Sequence, residues 1–180
     1  MNVIFLDFDG VLDTIHFNSD DDVEKRVRIL AEICHEYDCK VVIEAAAKDV
    51  IDEETFEIKG RWVNYIFSLF EKYGIKCIGR TPNVKKYYTN SSYMSMWKED
   101  EIRLYLFRHP EIEHYCVIDD DDLAPYNSDL NKVRDHLVKT IYCSENALEE
   151  GLLLEHKDEV GKVLQKENEV RRLLFRKNRK

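Results

Sequence analysis

Two carboxylates stand two residues apart near the start of the chain, where Asp7 and Asp9 follow the apolar run 2–6. Side chains at positions i and i+2 of a strand point the same way. Two anions ~4 Å apart repel each other by about 1 kcal/mol in water and roughly 4 kcal/mol at an effective dielectric of 20. Such a pair is typical of a site where a cation lies between the carboxylates or where one of them reacts. The alternative is a strand that ends in a polar turn.

A second acidic cluster, residues 119–122, follows the apolar run 115–118. Ligands of an open parallel sheet bind beyond the carboxyl ends of its strands. Mg²⁺ takes oxygen ligands from one or two carboxylates together with substrate phosphate. Two acidic clusters at one edge of a sheet therefore indicate a magnesium site, whereas a single charge run is more typical of a solvated turn.

The elements that must position these carboxylates alternate along the chain. Nearly continuous apolar runs predict buried parallel strands, and helical periodicity predicts helices between them. An α/β domain follows, with a parallel sheet flanked by helices. The predicted strands are 2–6, 40–43, 75–78, 115–118 and 137–141, and the predicted helices are 23–37, 62–73 and 101–108. Asp20, Asp21 and Asp22 are expected to cap the first helix.

Residues 80–96 have no period and predict a long loop, which in a compact domain is often a lid. Aromatic side chains in and directly after this segment either stack on a nucleobase or close the site as an apolar cover. These aromatics are Tyr87, Tyr88, Tyr93 and Trp97.

Residues 7–12 resemble the first motif of the haloacid dehalogenase-like (HAD) hydrolases, which are mostly phosphatases. The apolar run before Asp119 and Asp120 resembles the fourth motif, and Lys98 matches the third, with Lys85 and Lys86 as rivals. The resemblance implies Mg²⁺-dependent hydrolysis of a phosphomonoester through an aspartyl-phosphate.

In that mechanism Asp7 is the nucleophile and Asp9 the general acid and base. Lys98 pairs with the nucleophile and the transferring phosphoryl group. The metal ligands are Asp7, Asp119, Asp120 and the backbone carbonyl of Asp9.

The resemblance also implies a Rossmann-like fold with strand order 3-2-1-4-5 and no large cap domain. The chain between Gly10 and Asp20 would form a small flap near the catalytic edge. We expect residues 1–160 to be a single domain and residues 161–180 a basic helix or tail.

The second motif departs from the family pattern, which has Ser or Thr after the second core strand. Here Glu44 and Ala45 follow that strand, so either an anion stands in this place or backbone N–H groups replace the hydroxyl. Losing one preorganised donor typically costs about 10²–10³ in rate. Lys48 or Thr81 could compensate, and Gly10 completes the predicted substrate-binding set.

Further segments resemble small bacterial and phage HAD proteins related to RNA-repair polynucleotide phosphatases. They are 73–75, 79–82, 101–102, 109–113, 137–140 and 151–152. A nucleotide or polynucleotide end is therefore the first expectation for the substrate. The alternative is a catalytically degenerate HAD-like module that binds a metal or a partner.

The net charge of −9 argues against general binding of nucleic acids or membranes. The charge is uneven, because residues 162–180 carry eight Lys or Arg and two Glu, which leaves −15 on the remainder. That basic segment is either a nucleic-acid contact or a solvated terminus. Five cysteines without a CxxC spacing, and no apolar run near the ~18 residues of a membrane span, predict a cytoplasmic protein. The oligomeric state stays open.

Overall fold

The computed structural model describes residues 1–84, 94–123, 133–166 and 168. In these residues, five strands and four α-helices follow one another, alternating from the first strand to the fourth. They are β1 (Asn2–Leu6), α1 (Asp20–Glu36), β2 (Cys39–Ile43), α2 (Arg61–Tyr73), β3 (Cys77–Arg80), α3 (Met94–Arg108), β4 (His114–Asp119), β5 (Leu137–Lys139) and α4 (His156–Val163). No helix in the described ranges has both the length and the apolar character that a membrane crossing requires.

All neighbouring strands are parallel, and their order is β3-β2-β1-β4-β5. The predicted order 3-2-1-4-5 is therefore confirmed. Leu6 at the end of β1 pairs with Ile43 of β2 and Ile118 of β4. The residues that follow these three strands consequently meet at one edge of the sheet.

The two faces of β1 contribute to two separate apolar clusters, because its side chains alternate. Ile4 and Leu6 lie in the cluster that includes buried residues of α1, α2 and α4. Val3 and Phe5 lie in the cluster built with α3. Burial on both faces explains why β1 reads as a continuous apolar run.

The first two helices show how local sequence sets helix ends. Ser19, rather than the acidic run, caps α1, since its hydroxyl accepts the Asp22 N–H at 3.3 Å. The three aspartates occupy the first turn, where negative charge is favourable. Gly74 ends α2 in the left-handed conformation, with φ +71°.

Several predicted boundaries were wrong, and three of them have a clear structural reason or outcome. The third strand begins at Cys77 instead of Ile75, because Ile75 closes α2 by donating to the Phe70 carbonyl at 2.9 Å. The fifth strand ends at Lys139, opposite the last residue of β4. Helix α3 begins at Met94, so residues 94–96 are helical, while residues 85–93 lie outside the described part.

Residues 7–19 and 44–60 connect β1 to α1 and β2 to α2. Both connections are far shorter than the ~50 residues of a small domain. At the other end of the chain, Val163 and Leu164 are buried in the core. The Asn168 side chain donates to the Ile112 carbonyl at 2.9 Å. The packed chain thus continues beyond residue 160.

Replacing Ile4 by Ala should lower the free energy of unfolding by about 2–5 kcal/mol. Ile4 has no exposed surface in the central strand, so truncation leaves a cavity. Urea unfolding followed by circular dichroism measures the change. The control is Leu154→Ala, at a side chain that is 58% exposed and should shift stability by less than about 0.5 kcal/mol. Equal losses in both variants would contradict this account of the core.

Candidate active site

Three carboxyl groups converge where β1 and β4 end. Oxygen atoms of Asp7, Asp119 and Asp120 all lie within 4.8 Å of one another. Asp7 is 4% exposed and Asp119 is fully buried. The parallel register explains the meeting, because Leu6 pairs with Ile118 and each acidic segment continues from there. The structure thus brings together two segments more than a hundred residues apart.

Lys98 supplies a positive charge to this cluster. From α3, its Nζ atom lies 2.9 and 3.0 Å from the two carboxylate oxygens of Asp119 and also contacts Asp7. Burial disfavours the ammonium form, but the carboxylates of Asp119 and Asp7 outweigh it and raise the pKa of Lys98 above its ordinary value. Lys98 is therefore charged. Its rivals Lys85 and Lys86 lie outside the described residues.

The positive charge of Lys98 does not fully compensate the burial and mutual repulsion of these carboxyl groups. Burial raises the pKa of Asp7, and Lys98 only partly offsets this. Burial and then the charge of Asp7 raise the pKa of Asp119 well above its usual range. Burial and the neighbouring Asp121 and Asp7 raise the pKa of Asp120 to about 6. Hard oxygen donors whose charges repel one another fit a divalent cation such as Mg²⁺.

Gly10 permits the close approach of the two acidic segments. Its φ is +73°, and a Cβ atom there would lie 2.3 Å from Cγ of Asp120. A side chain at this position would push Asp120 away from the cluster. Gly10 thus shapes the cluster of three carboxyl groups, and it is not among the residues that line the adjoining cavity.

The side chain of Asp9 is exposed and lines that cavity. It is separate from the cluster of three carboxyl groups. Its backbone forms a bridge with Asp13, which closes the tight turn after the strand. Asp9 is thus placed to reach a molecule in the cavity.

A buried polar network lies at the end of β2. The Lys48 Nζ atom has three hydrogens to donate and four acceptors within reach. Two are the Glu44 carboxylate oxygens, at 3.3 and 3.4 Å. The others are the Thr81 hydroxyl at 3.0 Å and a Glu101 oxygen. The Thr81 hydroxyl also contacts the Glu44 carboxyl group. Thr81 is fully buried and belongs to this network rather than to the cavity wall.

The sequence suggests an anion at Glu44, whereas its surroundings in the structure favour the neutral form. Its burial raises its pKa to about 8, although Lys48 acts in the opposite direction. Burial thus favours the neutral, protonated form of Glu44. A neutral carboxylic acid can donate a hydrogen bond, and it repels phosphate less than a carboxylate does.

A cavity of about 350 Å³ connects the acidic cluster with the Glu44 network. Seven of the residues predicted from sequence line it, namely Asp7, Asp9, Glu44, Ala45, Lys48, Lys98 and Asp120. Six further residues were not predicted, namely Ala46, Asp49, Asn83, Glu101, Asp121 and Tyr142. Three of these had a usable signal in the sequence. Asp121 belongs to the acidic run 119–122. Glu101 lies one helical turn after Lys98, and Tyr142 follows the fifth strand at the same sheet edge.

Comparison with known proteins points to one family. A family model described as the HAD domain in Swiss Army Knife RNA repair proteins matches residues 3–148. This match includes both acidic segments and Lys98. No curated protein and no solved structure matches the chain.

The pKa of about 6 at Asp120 predicts a pH dependence of stability in metal-free buffer. Because this value exceeds the 3.8 of an unperturbed Asp, the folded protein binds the proton more tightly between about pH 4 and 6. The free energy of unfolding should therefore fall as pH rises through that window. Asp120→Asn should reduce the fall by roughly 1–3 kcal/mol.

Urea unfolding of both proteins at pH 4, 5, 6 and 7 in the presence of a chelator measures this difference. Asp122→Asn is the matched control, because Asp122 is an exposed neighbour whose pKa its hydrogen bond to Lys139 lowers. Parallel pH profiles for wild type and Asp120→Asn would contradict the burial of charge inferred at Asp120.

Proposed function

Because the chain belongs to the family of HAD domains found in Swiss Army Knife RNA repair proteins, we propose that it is a Mg²⁺-dependent phosphomonoester hydrolase. Family membership supports a HAD-like hydrolase or phosphatase at the level of the superfamily. The observation that carries the finer proposal is the convergence of Asp7, Asp119 and Asp120 with Lys98 among them.

The metal would be held by Asp7, Asp119 and Asp120, with the backbone carbonyl of Asp9. When bound, Mg²⁺ supplies positive charge that neutralises the carboxylates and the phosphoryl oxygens. The hard oxygen donors of this cluster and their mutual repulsion support this assignment. Lys98 adds a fixed cation beside Asp7.

The reaction would proceed in two displacements at phosphorus. In the first, a carboxylate oxygen of Asp7 forms a bond to phosphorus while the ester oxygen leaves with a proton from Asp9. In the second, Asp9 takes a proton from water as the water oxygen attacks the aspartyl-phosphate. The Asp7 carboxylate and inorganic phosphate are then released. The exposed position of Asp9 in the cavity supports its role in both proton transfers.

The phosphoryl oxygens also need hydrogen-bond donors where the family has a hydroxyl. The neutral Glu44 carboxyl group and the backbone N–H groups at Ala45 and Ala46 are the candidates that line the cavity. Lys48 also lines the cavity and contributes positive charge, but its hydrogens are engaged by Glu44, Thr81 and Glu101. Lys48 would thus hold Glu44 in place rather than bind phosphate itself.

A nucleotide or a polynucleotide end is the proposed substrate. The description of the matching family and the absence of room for a cap domain after β1 and β2 support a bulky phosphorylated molecule. Most of the basic segment 162–180 lies outside the described residues, so its contact with nucleic acid stays a prediction. The salt dependence of activity would reveal such a contact, because binding through phosphates weakens steeply with salt.

Asp7→Asn should abolish Mg²⁺-dependent hydrolysis of phosphomonoesters, a loss of at least about 10³-fold in kcat, because the amide cannot act as the nucleophile. The measurement is phosphate release from a panel of phosphomonoesters with Mg²⁺ or with chelator. Asp122→Asn, on the exposed neighbour paired with Lys139, should keep full activity. Full activity of Asp7→Asn would overturn the assignment of the nucleophile.

A second set of variants tests the departure at the second motif. Glu44→Ser combined with Ala45→Ser restores hydroxyl donors, and Glu44→Gln keeps a donor of similar size at every pH. If Glu44 donates as a neutral acid, Glu44→Gln should keep activity above pH 8, where the wild type loses it as Glu44 ionises.

Comparable activity in wild type and the double Ser variant would support an enzyme whose present donors suffice. Turnover in the double Ser variant alone would instead favour a degenerate module that binds a metal or partner. This second function is an alternative because the fully buried Glu44 follows the second strand, where the family has Ser or Thr.

A further inference from the structure

Two loops beside the cavity are fixed to each other around one buried carboxylate. The fully buried Glu150 side chain accepts the Ser144 N–H at 2.8 Å and the His16 N–H at 3.3 Å. The His16 Nδ1 atom lies 2.6 Å from the same carboxylate. In addition, the Ile15 N–H donates to the Tyr142 carbonyl at 3.2 Å. The backbone at Tyr142 is thus held firmly at the carboxyl end of β5.

This frame holds the partly exposed side chain of Tyr142 at the cavity. Tyr142 is 44% exposed, and Ile15 is 49% exposed. Single exposed apolar residues are common on protein surfaces. Tyr142 differs because it lines the cavity that contains Asp7 and Asp9, and it carries the only aromatic ring among the described lining residues.

The charges of the cavity limit what can lie against Tyr142. Seven carboxyl groups and two lysines line its described part. Lys98 is engaged by Asp7 and Asp119, and Lys48 by the Glu44 network. The described wall therefore has no further cation for a second phosphate. The part of the substrate next to the reacting phosphate should be neutral, and a flat ring face suits an aromatic ring.

We propose that Tyr142 is the stacking platform for the nucleobase of the phosphorylated terminal nucleotide. The proposal rests on the proposed phosphatase function and adds the subsite that recognises the leaving group. A nucleobase is neutral and planar, and its amino groups can donate to the surrounding carboxylates. Stacking on an aromatic ring tolerates every base, so recognition at this subsite is independent of sequence.

The test compares short RNAs that carry a 3′- or 5′-phosphate with the same RNAs whose terminal phosphorylated nucleotide lacks its base. Wild type should hydrolyse the RNA with the base at a KM about five- to hundredfold lower than the abasic RNA. Tyr142→Ala should raise KM for the first RNA by the same factor and leave the abasic RNA unchanged. Tyr142→Phe should behave as wild type because it keeps the ring.

The matched control is Leu148→Ala, on the same loop at a side chain that is 75% exposed and does not line the cavity. It should leave both substrates unchanged. A purely structural role of Tyr142 would lower the melting temperature and impair both RNAs equally, and that result would overturn the proposal. Equal KM values of wild type for the two RNAs would also overturn it.

A binding measurement separates this proposal from the phosphatase proposal. If wild type hydrolyses neither RNA, the proposed reaction fails, and fluorescence polarisation with labelled RNAs then tests the platform directly. Tighter binding of the RNA with the base, lost in Tyr142→Ala and kept in Tyr142→Phe, would support the platform without turnover. Equal binding by all variants would exclude it.

Discussion

The repulsion between Asp7 and Asp119, relieved by Lys98, is the interaction on which the site depends. Two buried carboxylates at the ends of adjacent strands are unfavourable without a cation, and burial raises the pKa of both. Lys98 reaches them from α3, on the opposite side of the sheet from α1 and α2. The position of that helix is therefore part of the electrostatics of the site, and the arrangement favours a further cation.

The rest of the fold serves this juxtaposition. Parallel pairing of β1 with β4 fixes the two acidic segments in register, and covering both faces of the sheet keeps water from most of the cluster. Because Gly10 has no side chain, Asp120 can lie close to its backbone. A Cβ atom at position 10 would displace Asp120. The loops after β1 and β5 meet through Glu150, which gives the cavity a fixed wall on that side.

The Glu44 network shows how a departure from the family pattern can be accommodated. A carboxylate in place of a hydroxyl would repel phosphate if it were exposed and ionised. Here Glu44 is fully buried with Lys48, Thr81 and Glu101, and its pKa rises to about 8 because of that burial. Two carboxyl groups around one ammonium are stable together when one of them keeps its proton. In its neutral form, Glu44 would offer a donor at this place in a different chemical form.

The sequence by itself determined the α/β class and the two acidic segments, because continuous apolar runs and the motifs at their ends are local signals. The strand order came from the resemblance to the HAD family. It also indicated Lys98, whose spacing from Asp119 matches the family. The sequence did not give the exact starts of β3 and α3. At β3, Ile75 is apolar whether it extends a strand or closes a helix, so its residue type does not distinguish the two. Only the tertiary structure decided the burial that raises the pKa of Glu44, the hydrogen bonds of Lys48 and the place of Tyr142 in the cavity. Each of these features depends on burial and on partners far apart in the chain, such as Thr81 and Glu101 for Lys48. A linear sequence pattern does not show which distant residues pack together and exclude water from a site.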